Sequence, residues 1–272
     1  MLKKRLIFTL LVRKGVFQLS RNFSLQAVGN FDWLSNHYKL TSIARSIDEL
    51  VLLNVDREYD QHASFLSSVA QLGTMCFMPV AAGGGVRTID DAYRLLDAGA
   101  DKLVVNTALF TEPKLVEEIA RNFGSQCVVA SLDYRKTVSG FEVWCGNGKR
   151  NSEMGLQDAA RRAESVGAGE LYVTSIDRDG TGQGYDLEAL NLVTQTSRLP
   201  VIASGGVGDF KHFLEGLNLD GVTGASTANI FNFMSDGLTQ ARSFIEARGI
   251  PLAQWDFSTL LASPSEPGPP HA

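Results

Sequence analysis

Residues 200–207 read PVIASGGV, a short apolar run that ends in consecutive glycines. Residues 79–86 read PVAAGGGV, so the phrase recurs at a spacing of 121 residues. An apolar run of this length predicts a buried strand. Glycines directly after it let backbone N–H groups face outward without side chains in the way, which is how a phosphate is cradled. Two such cradles predict a ligand with two phosphates. The same spacing joins Glu49-Leu50, leading to Val55-Asp56-Arg57-Glu58, with Glu170-Leu171, leading to Ile176-Asp177-Arg178-Asp179. With one residue of slippage, residues 7–14 (IFTLLVRK) lie over residues 129–136 (VASLDYRK). A period this far above that of solenoid repeats marks a duplication inside one fold.

Around these phrases the chain alternates strand and helix patterns. Strands are predicted at Arg5–Leu11, Leu50–Asn54, Phe77–Ala81, Lys102–Asn106, Gln126–Leu132, Glu170–Ser175, Pro200–Ala203 and Gly221–Ala225. Between them, Thr88–Ala98 carries Ile89, Ala92, Leu95 and Leu96 at helix spacing, opened by the capping-type Thr88 and closed by Gly99. Further helices are predicted at Pro113–Asn122, Leu156–Val166 and Leu187–Thr196. Such alternation is what parallel β/α units require. Eight strands predict an α/β protein that is a single (β/α)8 TIM barrel built from two similar half-barrels. An open doubly wound sheet is disfavoured, because no Gly-x-Gly-x-x-Gly follows the first strand. Site residues should therefore come from strand C-termini and the loops after them.

Composition agrees with one large core: 272 residues, 44% hydrophobic and 20% charged. A net charge of −5 argues against a nucleic-acid surface and for small anions or proteins as partners. Cys76, Cys127 and Cys145 lack metal-ligand spacing, as do His37, His62, His212 and His271, so neither metal nor cofactor is expected. The start, MLKKRLIFTLLV, is basic and then apolar like a secretion signal. Arg13 and Lys14 interrupt it and no small-residue cleavage site follows, which makes a first strand the better reading. No run reaches the length of a membrane span, and a cytoplasmic protein is expected. The barrel is expected over residues 1–250. Residues 251–272 are expected to be an extension, disordered from residue 263 (SPSEPGPPHA), where Pro and Ser dominate without apolar period.

Four segments carry a more specific likeness: Phe123-Gly124-Ser125-Gln126-Cys127, residues 174–181 (TSIDRDGT), Gly184-Tyr185-Asp186-Leu187 and residues 201–208 (VIASGGVG). Together they resemble the HisF family, the cyclase subunit of imidazole glycerol phosphate synthase, over about residues 2–250. The resemblance implies a duplicated half-barrel of the lyase class that binds a bisphosphate intermediate of histidine biosynthesis. It also implies ammonia delivered by a glutaminase (HisH-type) subunit, forming a heterodimer on the face opposite the site.

Carried over residue by residue, Gly84, Gly85, Asn106 and Thr107 match one anion site of that family. Asp179, Gly180, Ser204, Gly205 and Gly206 match the other, with Asn229 where the family has a serine. A glycine pair alone could simply permit a tight turn; two symmetric pairs point to phosphate. Asp133, ending the fifth strand, matches a catalytic carboxylate that moves protons during ring closure. An inward carboxylate there has no structural need and is costly to desolvate. Arg5, Glu49, Lys102 and Glu170 match the charged ring through which ammonia enters the barrel, and Asp101 matches the partner-facing rim. Read without the family, the four are ordinary ion pairs of a barrel floor.

Three sites in the first half depart from the family. Leu11 replaces its other catalytic aspartate, Leu19 and Ser20 stand where a substrate-closing lysine and a glycine belong in a flexible loop, and Asn54 replaces an aspartate. Losing a general acid or base typically costs about 10²- to 10⁴-fold in rate, which points to altered chemistry. Asp56 and Asp177 follow strands and read as loop caps. Three functions stay open. One is an ammonia-using synthase subunit with a different phosphorylated acceptor, as in paralogues that help amidate surface polysaccharide sugars. The others are a true histidine-pathway cyclase, and a non-catalytic barrel that activates its glutaminase.

Overall fold

The computed structural model describes residues 3–38, 46–56, 62–75, 77–229, 233 and 235–254. Among them the strands are β1 (Arg5–Arg13), β2 (Val16–Arg21), β3 (Ser24–Gly29), β4 (Glu49–Asn54), β5 (Val80–Gly83) and β6 (Lys102–Val105). They continue as β7 (Val128–Thr137), β8 (Gly140–Cys145), β9 (Arg150–Gly155), β10 (Glu170–Ser175), β11 (Val201–Ser204) and β12 (Val222–Thr227). The helices are α1 (Phe31–Tyr38), α2 (His62–Met75), α3 (Ile89–Asp97), α4 (Thr107–Thr111), α5 (Pro113–Phe123), α6 (Leu156–Ser165), α7 (Leu187–Thr196), α8 (Phe210–Leu217) and α9 (Gly237–Glu246).

Eight of the strands pair in parallel in the order β1-β4-β5-β6-β7-β10-β11-β12, and β12 returns to β1, so the sheet closes. This is the (β/α)8 barrel. Its closure follows from strand sequences that are apolar on both sides, since alternate residues must meet either the helices or the barrel axis. On β1, Leu6, Phe8, Leu10 and Val12 join the large outer core under the helices. Ile7 faces inward and packs with Val51, Ala81, Val104, Val129, Tyr172 and Ile202 into a separate small cluster.

The duplication is visible in detail. Thr88 caps α3, and Asp209, one period later, caps α8. The Lys14 amide donates to Asp56 Oδ2 at 3.1 Å, and the Lys136 amide to Asp177 Oδ2 at 2.9 Å, so both aspartates do cap loops. Each half also inserts a hairpin after its first strand, β2–β3 and β8–β9. Neither hairpin was expected, and the segment holding Leu19 and Ser20 is β2 rather than a loose loop.

Two predicted strands are displaced. The one predicted at Gln126–Leu132 starts at Val128, after a 3-10 turn over Ser125–Cys127, and runs on to Thr137. Phe77–Ala81 was expected, yet pairing covers Val80–Gly83, because the Val80 amide is held by Asp101 Oδ2 and Phe77 stands 63% exposed before it. The glycine loop that follows is held from the other side. Buried Asp91 accepts the amides of Arg87 and Thr88 at 3.0 and 2.9 Å and the Thr88 hydroxyl at 2.9 Å. At the far end, the Lys4 amide donates to Pro251 O and the Ala253 amide to Lys4 O, so residues 251–253 run along the barrel floor. The expected disordered segment from residue 263 lies outside the described residues.

Replacing Asp91 with Ala removes a buried acceptor and leaves two amides and a hydroxyl without it. Urea unfolding should show a loss of about 1–3 kcal/mol. A midpoint unchanged from wild type would mean that the loop after β5 is held by other contacts.

Candidate active site

The C-terminal ends of the barrel strands open on a cavity of about 680 Å³. Its lining brings together Leu11, Asn54, Gly84, Gly85, Asn106, Thr107, Asp133, Asp179 and Ser204. Gly180, Gly205 and Gly206 fall instead around an adjoining pocket of about 20 Å³, which Asp179 and Ser204 also border.

Asp133 projects inward because its neighbour Leu132 is committed to the outer core. Burial pushes its carboxyl up to about 7, the hydrogen bond from Ser131 Oγ (3.1 Å) works against that shift, and the nearby charge of Asp179 adds to it. A group that is half protonated near neutral pH can both give and take a proton. Leu11 lines the same cavity from β1, so the mouth has no carboxylate at the position that Asp133 mirrors.

The first anion set is open. Gly84 and Gly85 take φ of +98° and +83°, and a Cβ on Gly84 would collide with the Asn54 carbonyl oxygen, so the turn admits only glycine. The Asn106 side-chain amide donates to Ser131 O at 3.0 Å, and Thr107 Oγ1 accepts the Gly146 amide at 3.1 Å from the tip of the β8–β9 hairpin. Arg87 and Arg150 also line this cavity, both on exposed backbone positions. Reading the sequence missed them because Arg150 arrives on the second hairpin. The Asn147-Gly148 pair was the available signal for that hairpin.

The second set is covered. Ser20 Oγ donates to Asp179 Oδ2 at 2.5 Å, the Phe23 amide to the same oxygen at 3.1 Å, and the Asn22 amide to Asp179 O at 2.9 Å. Burial raises the Asp179 carboxyl, while the bonds from Ser20 and Phe23 oppose the shift. Asn22 and Phe23 form the β2–β3 turn at φ of +51° and +63°, a strained conformation for Phe. The register of β12 slips by one residue beside β11, so the twin of Thr107 is Asn229, where a side-chain amide takes the place of the hydroxyl. Ser204 turns inward, donating to Tyr172 Oη at 3.0 Å. Tyr172 also meets Thr9 at 2.8 Å and Ser226 at 3.0 Å in a buried hydroxyl layer below the mouth.

At the barrel floor the four predicted charges meet. Arg5 pairs with Glu49 at 2.5 Å and with Glu170, and Lys102 pairs with Glu49 at 3.0 Å and Glu170 at 3.1 Å. Each carboxylate thus touches both cations. Asp101 is exposed beside them and serves as an acceptor for the Val80 amide.

Elsewhere, Asn54 Oδ1 accepts the Asp56 amide at 3.0 Å. His212 Nδ1 accepts the Gly208 amide at 3.2 Å, and His37 stacks on Trp33. Cys127 and Cys145 are buried free thiols. Cys76, His271 and the His62 side chain lie outside the described residues. No cluster of His, Cys, Asp and Glu suited to a metal occurs among the described residues, and no helix there is long and apolar enough to cross a membrane.

Residues 36–235 match the family described as histidine biosynthesis protein. A protein of Parasynechococcus marenigrum (strain WH8102), provisionally described as imidazole glycerol phosphate synthase subunit hisF2, is 36% identical over 97% of this chain and 98% of its own length. Imidazole glycerol phosphate synthase subunit HisF of Streptococcus sanguinis (strain SK36) is 37% identical over 92% of this chain and 98% of its own. The corresponding subunit of Streptococcus gordonii (strain Challis) is 36% identical over the same shares.

Asp133 should mark the pH dependence of stability. Its folded pKa near 7 lies above the ordinary carboxylate value, so between about pH 4 and 7 the folded chain binds more protons than the unfolded one and stability falls as pH rises. Asp133→Asn should therefore be near neutral at pH 4 and stabilising by roughly 2–4 kcal/mol at pH 8. Thermal unfolding across that range measures it. A difference between variant and wild type that does not change with pH would place the carboxyl at an ordinary pKa.

Proposed function

The chain belongs to the HisF family of imidazole glycerol phosphate synthase subunits, and on that basis we propose that it is the synthase half of a glutamine amidotransferase whose acceptor differs from the histidine precursor. A glutaminase of the HisH type docks on the barrel floor. Its ammonia enters through Arg5, Glu49, Lys102 and Glu170 and is added to a phosphorylated acceptor in the mouth above. The observation that carries this reading is the contrast between the two ends. The floor keeps all four charges in mutual contact, while the mouth pairs Asp133 with Leu11.

The chemistry follows from what each end can do. Four mutually neutralised charges present no net field to a small neutral molecule and a strong barrier to an ion. At the mouth, Asp133 near half protonation can take a proton from an attacking ammonia or give one to a leaving oxygen. Ring closure divides such tasks between two carboxylates, and a leucine can perform neither. Amination of a single carbonyl or ester-like centre needs fewer proton transfers, and amidation of surface-polysaccharide sugars is a reaction of that kind.

A second reading, the ordinary histidine-pathway cyclase, is favoured by the 36–37% identity to HisF subunits across nearly the whole chain. Complementation of a histidine auxotroph that lacks its cyclase separates the two: growth supports the ordinary enzyme, and no growth supports the altered acceptor.

With ammonia and the histidine-pathway bisphosphate, wild-type turnover should lie well below about 1 per second. Leu11→Asp alone should restore little and Leu11→Asp with Leu19→Lys more, because groups that act as a unit are not additive. Wild-type turnover of an ordinary cyclase would overturn the altered-acceptor reading.

Glu170→Lys leaves Glu49 alone against three cations. It should abolish glutamine-dependent amination while glutamine hydrolysis by the partner continues. Failure of the chain to associate with any glutaminase encoded beside it, in co-purification and in a glutamine-dependent assay, would remove the partner from the proposal.

A further inference from the structure

We propose that the mouth takes an acceptor with one phosphate and an otherwise uncharged, partly apolar body. The phosphate lies at Gly84, Gly85, Asn106 and Thr107, and the body lies along Leu11, Leu53 and Phe23. This rests on the reading that the acceptor is phosphorylated, and narrows it.

Sequence symmetry predicts two equivalent cradles, and the structure makes them unequal. Gly85 is exposed, whereas Gly206, one period later, is buried. A Cβ on Gly206 would collide with the Gly184 carbonyl, and the Gly184 amide donates to Gly206 O at 2.7 Å, so neighbouring backbone already occupies the space above it. Gly180 is closed from the other side, because its missing Cβ would collide with the carbonyl of Ser20 on the β2–β3 hairpin. The second pocket is a narrow recess of about 20 Å³ beside the large cavity.

Charge separates them further. Arg87 and Arg150 line the first cavity, whereas no Lys or Arg lines the second pocket among the described residues, and the Asp179 carboxylate does. Finally, the twin of Thr107 is Asn229, so the second set has a side-chain amide in place of that hydroxyl. A dianion placed there would meet a carboxylate, lose its hydration and find no cation.

The large cavity beside the first set has an apolar side. Leu11, Leu53, Val55, Phe23 and Leu25 line the large cavity, and Leu11 replaces a charge with a methyl-bearing surface at its centre. Apolar contact rewards an uncharged body there. Asp133 stands at the edge of that surface, where it can reach a polar centre of the body.

The test is equilibrium binding by calorimetry of the full chain with three probes: inorganic phosphate, phenyl phosphate and fructose 1,6-bisphosphate. Inorganic phosphate should bind once per chain, and the exposed change Arg150→Gln and the change Thr107→Val should each weaken it about tenfold or more. Phenyl phosphate should bind at least about tenfold tighter than inorganic phosphate. Leu11→Asp should remove that gain while leaving inorganic phosphate unaffected. The bisphosphate should gain nothing over inorganic phosphate. Two phosphates per chain, a tenfold gain for the bisphosphate, or no gain for phenyl phosphate would overturn the single-phosphate acceptor while leaving a phosphorylated acceptor standing. Binding of none of the probes would overturn both.

Discussion

Two carboxylates and two cations at the foot of a closed barrel can remain there only as a set. Taken singly, each would bear a large desolvation cost. Glu49 and Glu170 are almost wholly buried, and each is in contact with both Arg5 and Lys102, which makes the group neutral and self-satisfied. The four residues sit at the N-terminal ends of β1, β4, β6 and β10. Their mutual geometry therefore fixes the relative heights of four strands drawn from both halves. From Arg5 to Leu11 is roughly 20 Å of strand, so the same pinning sets where Leu11 and Asp133 emerge at the mouth. Floor and mouth are mechanically one object.

Between them lies a graded interior. The inward layer above the charges is apolar, built from Ile7, Val51, Ala81, Val104, Val129 and Ile202. Above that the hydroxyls of Thr9, Tyr172, Ser204 and Ser226 bond one another. The buried hydroxyls are each satisfied, as buried polar groups must be. Ser204 borders the mouth, yet its hydroxyl donates to Tyr172. A residue that reads as a ligand contact in sequence thus has a structural partner in space.

The duplication made most of this legible. A spacing of 121 residues relates the glycine pairs and Asp56 with Asp177, and both equivalences hold in space; the caps Thr88 and Asp209 obey the same spacing. β10 and α7 have the predicted limits, because Glu170–Ser175 is buried throughout and Asp186 caps Leu187–Thr196. What stayed hidden depended on tertiary contact. The run before Pro79 is as apolar as a strand, but pairing begins only where Asp101 can hold Val80. The β2–β3 hairpin has weak turn chemistry, with Phe23 at a positive φ that no local preference would choose. Its position depends on Asp179, some 156 residues away in sequence. The unequal openness of the two glycine cradles is likewise a property of what covers them, which no repeat can reveal.

That hairpin gives the two halves different obligations. It grows out of the first half, yet Ser20, Asn22 and Phe23 bind Ile176 and Asp179 in the second, and Phe23 also lies against Gly148 at the tip of the other hairpin. The β8–β9 hairpin answers in part: the Asn147 side-chain amide donates to Val55 O at 3.3 Å, as that of Asn22 does to Ile176 O, while the Gly146 amide goes to Thr107. The halves are therefore related by descent but no longer interchangeable parts. A chimera made of two copies of the second half would close a barrel and still lack the clasp over Asp179. One made of two copies of the first would carry the clasp twice, with Glu58 in the place that Asp179 holds one period later.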